Sequence, residues 1–117
     1  MKTHHDLDVW QKSIDIVLKV YDQTKDFPSY EKYGLTSQMR RTAVSIPSNI
    51  AEGAARCSDK KFIKFLYYSL ASVSELETQL ILSEKLGFLK NTTLLDELYK
   101  NKQIISGLIR YLKNKIK

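Results

Sequence analysis

A single cysteine, two prolines and four glycines are all that this chain of 117 residues holds of those types, and it has no long apolar run. Each shortage excludes something. Cys57 alone makes no internal disulfide, so a reducing compartment, the cytoplasm, is the default expectation. So few glycines and prolines do not suit a β-sandwich or barrel, which must turn every ~10 residues. The longest stretches without a charge, Thr42 to Ala51 and Phe65 to Ser74, fall well short of the ~18 apolar residues of a transmembrane helix. Met1 to Asp8 carries two histidines and two aspartates with no apolar run, which argues against a signal peptide. What is abundant points the other way: 43% hydrophobic and 27% charged residues exclude a disordered tail and predict one helical domain over residues 1–117.

The net charge of +6 is unevenly spread. Residues 36–64 carry six basic and two acidic groups, and residues 90–117 carry seven and two. Residues 65–89 are acidic on balance, with Glu75, Glu77 and Glu84 against Lys85. Such a surplus favours anionic partners, nucleic acid among them, and equally serves a small protein that only needs to stay soluble.

Apolar spacing predicts helices over about 8–26, 36–57, 58–86 and 92–115. In the first, Trp10, Ile14, Val17, Leu18 and Tyr21 share a face, and Val9, Ile16 and Val20 widen the apolar arc well beyond what a two-layer packing needs. Asp8 with Gln11 reads as a capping box, and Phe27-Pro28 stops the helix. The second helix uses Leu35, Met39, Ile46, Ile50 and Gly53, with a kink or short break expected at Pro47, which has no amide for the Ala43 carbonyl. Ser58 caps the third, which reads through Phe62, Phe65, Leu66, Ser69, Val73, Leu76 and Leu80 and stops at Gly87 in a left-handed conformation. The fourth uses Leu94, Leu98, Ile105, Ile109, Leu112 and Ile116. Short connections between long helices imply antiparallel neighbours, hence an all-α, up-down-up-down four-helix bundle.

Some residues do not fit a plain bundle. Helical projection puts Glu77 on the apolar side of the third helix, where a carboxylate is expensive unless paired; Arg40 or Arg41 is the natural partner. Gln38, Arg41, Ser45, Asn49, Glu52 and Arg56 line a polar edge of the second helix. An active site around Arg41, Asn49, Glu52 and Glu77 is one reading, and a structural hydrogen-bond network that fixes register is the favoured one. Catalytic signatures are otherwise missing: there is no Glu-x-x-His pair, Gly-rich phosphate loop or Cys-x-x-Cys, so neither enzyme activity nor a cofactor is expected. His4 and His5 stand outside any periodic segment and are not read as metal ligands. Cys57 falls on the apolar side of the second helix and reads as a small core residue.

Two basic patches are candidate nucleic-acid contacts. Lys102, Arg110, Lys113 and Lys117 lie along one arc of the fourth helix, and Arg56, Lys60, Lys61 and Lys64 cluster where the second helix hands over to the third, followed by Tyr67 and Tyr68. No helix-turn-helix, RNA-recognition or zinc-finger pattern is present, so contacts would be to backbone and shape.

Asp8-Val9-Trp10, Phe27-Pro28, Tyr33-Gly34-Leu35, Gln38-Met39-Arg40-Arg41 and the run Ala43 to Gly53 resemble the small bacterial four-helix-bundle family called the 23S rRNA intervening-sequence protein family, as does the block Glu75 to Leu80 with Lys85-Leu86-Gly87. The resemblance covers roughly residues 6–113 without departure in these blocks. It implies an up-down-up-down bundle assembled as a homopentamer, with some members encoded inside insertions in ribosomal RNA genes and others similar to nucleic-acid-binding accessory proteins of retroelements. It implies no enzymatic activity, and Arg40, Arg41, Ser45, Asn49, Glu52 and Glu77 transfer only as a polar network. Two functions therefore stay open. One is a non-catalytic, homo-oligomeric protein that binds RNA or DNA or serves a protein partner; the other is a structural interaction module with no nucleic-acid role. Neither involves a membrane.

Overall fold

The computed structural model describes residues 7–90 and 92–116. Four α-helices follow in order: α1 Asp8–Thr24, α2 Leu35–Ala54, α3 Asp59–Lys85 and α4 Leu94–Lys115. Each packs on its neighbour, α1 on α2, α2 on α3, α3 on α4 and α4 back on α1, with the α2–α3 seam the most extensive. Antiparallel neighbours closing on themselves make an up-down-up-down bundle 48 × 21 × 19 Å.

Local signals account for most helix ends. Ser58 Oγ accepts the Lys61 amide at 3.1 Å, the expected cap of α3. At the other end of α3, Gly87 takes φ +80°, its amide bonds the Glu84 carbonyl and the Phe88 amide bonds the Ser83 carbonyl. That is a Schellman motif, and it throws the Phe88 ring back against Phe27 and Tyr30. A single 3-10 turn at Ser29–Glu31, which hydropathy does not mark, carries the chain from α1 to α2.

Three local expectations need correction. The capping box does not form: Leu7 is the N-cap of α1 with no side-chain bond, and Asp8 sits one residue inside the helix, paired with Lys12 at 3.3 Å. α2 runs uninterrupted through Pro47, so of the kink or short break expected there only the break is excluded. It ends at Ala54, three residues early, which takes Cys57 off the helical projection and leaves it exposed rather than in the core. Ile116 lies beyond α4 and is half exposed.

The largest correction concerns which face of α1 turns inward. Val9, Ser13, Ile16, Val20 and Thr24 are buried, whereas Leu18 is 63% and Tyr21 43% exposed. The residues expected to be left over are the core, and the expected core stripe is the flank. Two hydroxyls explain the inversion. Ser13 Oγ and Thr24 Oγ1 donate to carbonyls one turn back, Val9 and Val20, each at 2.7 Å, so both side chains are buried with their hydrogen bonds made. A hydropathy projection counts them as polar and rotates the apparent face.

Candidate functional site

The α2–α3 seam holds the polar network. Ser45 Oγ lies 2.6 Å from the Thr42 carbonyl and 2.7 Å from Ser72 Oγ, and Asn49 Nδ2 donates to the Ser45 carbonyl at 2.9 Å. Thr42 Oγ1 is 3.3 Å from Glu75 Oε2 and accepts from Gln79 Nε2 at 3.2 Å. Beneath it, buried Ser69 donates to the Ile46 carbonyl at 2.9 Å, one residue before Pro47. Thr42, Ser72, Glu75 and Gln79 were not among the expected members. Their signal in the sequence is the spacing of Ser72, Glu75 and Gln79, three and four residues apart on one helical edge.

Arg40, Arg41, Glu52 and Glu77 lie outside that network. Arg40 turns to the opposite seam, where Nε donates to Thr24 Oγ1 at 2.9 Å, Nη2 donates to the Tyr21 carbonyl at 3.3 Å, and the guanidinium lies 4.7 Å from the Tyr21 ring. Arg41 and Glu52 are exposed. Glu77 is only half-buried, and among the described residues it has no ion pair or hydrogen bond. The expected Glu77–Arg bridge therefore does not exist. Arg40 bonds across to α1, and the α3 side chains that bond to α2 are Ser69, Ser72, Glu75, Gln79 and Ser83.

An open trough of about 510 Å³ follows from that placement of Arg40. It runs along the start of α2 and is lined by Tyr21, Lys32, Tyr33, Thr36, Ser37, Arg40, Arg41 and Val44. An apolar groove of about 310 Å³ continues from Val44 down the α1–α2 seam, between Trp10, Ile14, Val17, Pro47 and Ala51. Just outside the trough, the Lys25 ammonium is held above its ordinary range, first by a hydrogen bond and the charge of Asp22, 3.1 Å away, and then by the charge of Asp26.

Parts of the two basic segments lie at one end of the bundle. Lys113 Nζ donates to Tyr67 Oη at 2.7 Å, and Lys115 pairs with Asp59 at 3.2 Å. These contacts set the end of α4 beside the start of α3. Exposed Arg110 and Lys113 therefore stand at the same end as exposed Lys60, Lys61 and Lys64. Tyr67 and Tyr68 are half exposed in that region, with Lys64 5.9 Å from the Tyr68 ring and Arg56 4.8 Å from the Phe65 ring. Lys102 is exposed but lies eleven positions back along α4, roughly 16 Å from Lys113 at the helical rise. Lys117, like His4 and His5, lies outside the described residues.

Among the described residues, no group of three or more His, Cys, Asp or Glu side chains is placed to hold a metal, and no helix is long and apolar enough to cross a membrane. In comparison with known proteins, a family model described as 23S rRNA-intervening sequence protein matches residues 5–110. No curated protein matches the chain.

Proposed function

The chain belongs to the 23S rRNA-intervening sequence protein family, and from that premise we propose that it is a non-catalytic cytoplasmic bundle that assembles with copies of itself and holds nucleic acid by its backbone. The observation that carries the reading is the Lys113–Tyr67 contact, which merges two basic segments into one surface. Arg56, Lys60, Lys61, Lys64, Arg110 and Lys113 then form a cationic end with Tyr67 and Tyr68 among them. Cations track phosphates and exposed aromatic rings accept bases, a combination that suits single strands without base readout. Assembly multiplies such a patch, so weak contacts act together through effective concentration. The number of copies that the resemblance implies is five.

A salt titration with generic single-stranded RNA and DNA tests it. Backbone binding gives log K that falls linearly with log salt, with a slope of about −0.7 per phosphate contact. The triple variant Lys64→Glu, Arg110→Glu, Lys113→Glu is expected to abolish binding while helix content persists. Unchanged binding by that variant overturns the reading.

One observation favours a second function. The apolar groove of Trp10, Ile14, Val17, Val44, Pro47 and Ala51 suits protein contact rather than nucleic acid. An interaction module with no nucleic-acid role then accounts for the chain, and it predicts self-association with no salt-dependent binding of either nucleic acid.

A further inference from the structure

We propose that the trough at the start of α2 is a binding site for a phosphate ester carrying a planar ring, a nucleotide being the ordinary member of that class. This inference does not rest on the basic end of α3 and α4, since it concerns the α1–α2 side of the bundle.

Three cations line the trough, Lys32, Arg40 and Arg41, and no carboxylate does. Two of the carboxylates nearby are engaged elsewhere: Glu31 Oε1 accepts the Leu35 amide at 3.1 Å, and Asp22 pairs with Lys25. Arg40 is held in place by its bonds to Thr24 and the Tyr21 carbonyl. Those bonds engage two of the five N–H donors of a guanidinium, so the rest of its fork is available to a phosphate at little further cost in side-chain entropy. Thr36 lines the same trough, and its hydroxyl, open to solvent there, has no hydrogen-bond partner among the described residues. A hydroxyl that makes no intramolecular bond keeps both its donor and its acceptor capacity for a ligand oxygen.

Aromatic chemistry completes the class of ligand. Tyr33 is 88% exposed at the rim, more than any other large hydrophobic side chain among the described residues, and Lys32 lies 5.5 Å from its ring. Packing does not account for a ring so fully solvated. Set beside phosphate-binding groups, it offers a face on which a base can stack. The volume of about 510 Å³ is in the range of small-molecule sites, roughly 300–1,000 Å³.

Calorimetric titration of the full chain with adenosine 5′-monophosphate, with inorganic phosphate and with a single-stranded tetranucleotide tests the proposal. Arg41→Gln and Tyr33→Ala are the informative variants, because both side chains are exposed and their loss leaves the core intact. The expected result is saturable binding of the nucleotide, weakened about tenfold by Arg41→Gln through loss of one charged contact. Tyr33→Ala is expected to bring nucleotide affinity down to that of inorganic phosphate. Tighter binding of the tetranucleotide, with the same sensitivity to both variants, assigns the ligand to a strand; equal or weaker binding assigns it to a free nucleotide. The control Arg110→Glu, Lys113→Glu is expected to leave nucleotide binding unchanged, so failure of the α3–α4 reading and failure of this one are separable. No saturable binding, affinity for phosphate equal to that for nucleotide in the parent, indifference to both trough variants, or loss of binding in the control each overturns the proposal.

Discussion

Gly53 and Gly107 both lie inside helices, where glycine costs about 0.5–1 kcal/mol relative to alanine. A Cβ on Gly53 would stand 2.7 Å from Phe65 Cβ and 3.0 Å from the Phe62 ring, so the close approach of α2 to α3 depends on its absence. On Gly107 the same atom meets nothing within 4 Å. Gly53→Ala should therefore destabilise the protein by about 1–3 kcal/mol, and Gly107→Ala should stabilise it by about 0.5–1 kcal/mol, both read from urea denaturation midpoints. Glu77 gives a third test at this scale. A carboxylate buried against an arginine would cost about 3–5 kcal/mol on removal. Half-buried and without an ion pair among the described residues, Glu77 should instead tolerate Glu77→Ala within about 0.5 kcal/mol.

Helix ends decide where each element hands over to the next, and the end of α3 shows how. Gly87 at φ +80° lets two amides return to the Ser83 and Glu84 carbonyls, which turns Phe88 onto Phe27 and Tyr30. An L-residue in that conformation costs about 1–2 kcal/mol. Gly87→Ala should lower stability by about that amount with no change in helix content at low denaturant, measured by circular dichroism during unfolding. At the start of the next element the seams are tied by long-range polar contacts, Thr92 Oγ1 to Gln23 Oε1 at 2.8 Å and Lys19 to Glu97 at 2.6 Å. Deeper in the α1–α4 seam, Asn101 Nδ2 donates to Ser13 Oγ at 2.9 Å while Asn101 Oδ1 is buried without a partner. Such a pair contributes little net stability, yet it penalises any slip of α4 against α1 that would leave both groups unmatched.

Across the whole molecule, basic side chains gather toward opposite ends, and the apolar groove adjoins one of those two regions. Lys60, Lys61, Lys64, Arg110 and Lys113 sit where α3 begins and α4 finishes, the trough sits where α1 finishes and α2 begins, and the apolar groove runs along α1 and α2. Val44 borders both the trough and the groove and is 40% exposed, so a charge there leaves the core untouched. If copies associate through the groove, Val44→Lys should shift the protein to a smaller species in light scattering at micromolar concentration, with helix content retained. An unchanged mass would move self-association to another face.

How much of this was legible beforehand differs from element to element. Spacing alone identified the core of α2, α3 and α4, because Met39, Ile46, Ile50, Leu66, Leu76, Leu80, Leu98 and Ile105 recur at helical intervals with few polar interruptions. The Ser58 cap and the Gly87 stop were equally plain, since each rests on a residue type with a local geometric preference. The chain order of helices and their short connections then fixed the bundle. Tertiary structure decided the rest. It chose the inner face of α1, where hydroxyls bonded to their own helix pass as core. It sent Arg40 toward α1 and left Glu77 half-buried without an arginine, because the side of a helix that meets a given neighbour depends on how all four are arranged. It joined two basic segments that lie nearly fifty residues apart along the chain, through Lys113 and Tyr67. A periodic pattern records burial, which each residue feels from the whole core at once; pairing is a relation between two particular side chains, and only the packed bundle specifies it.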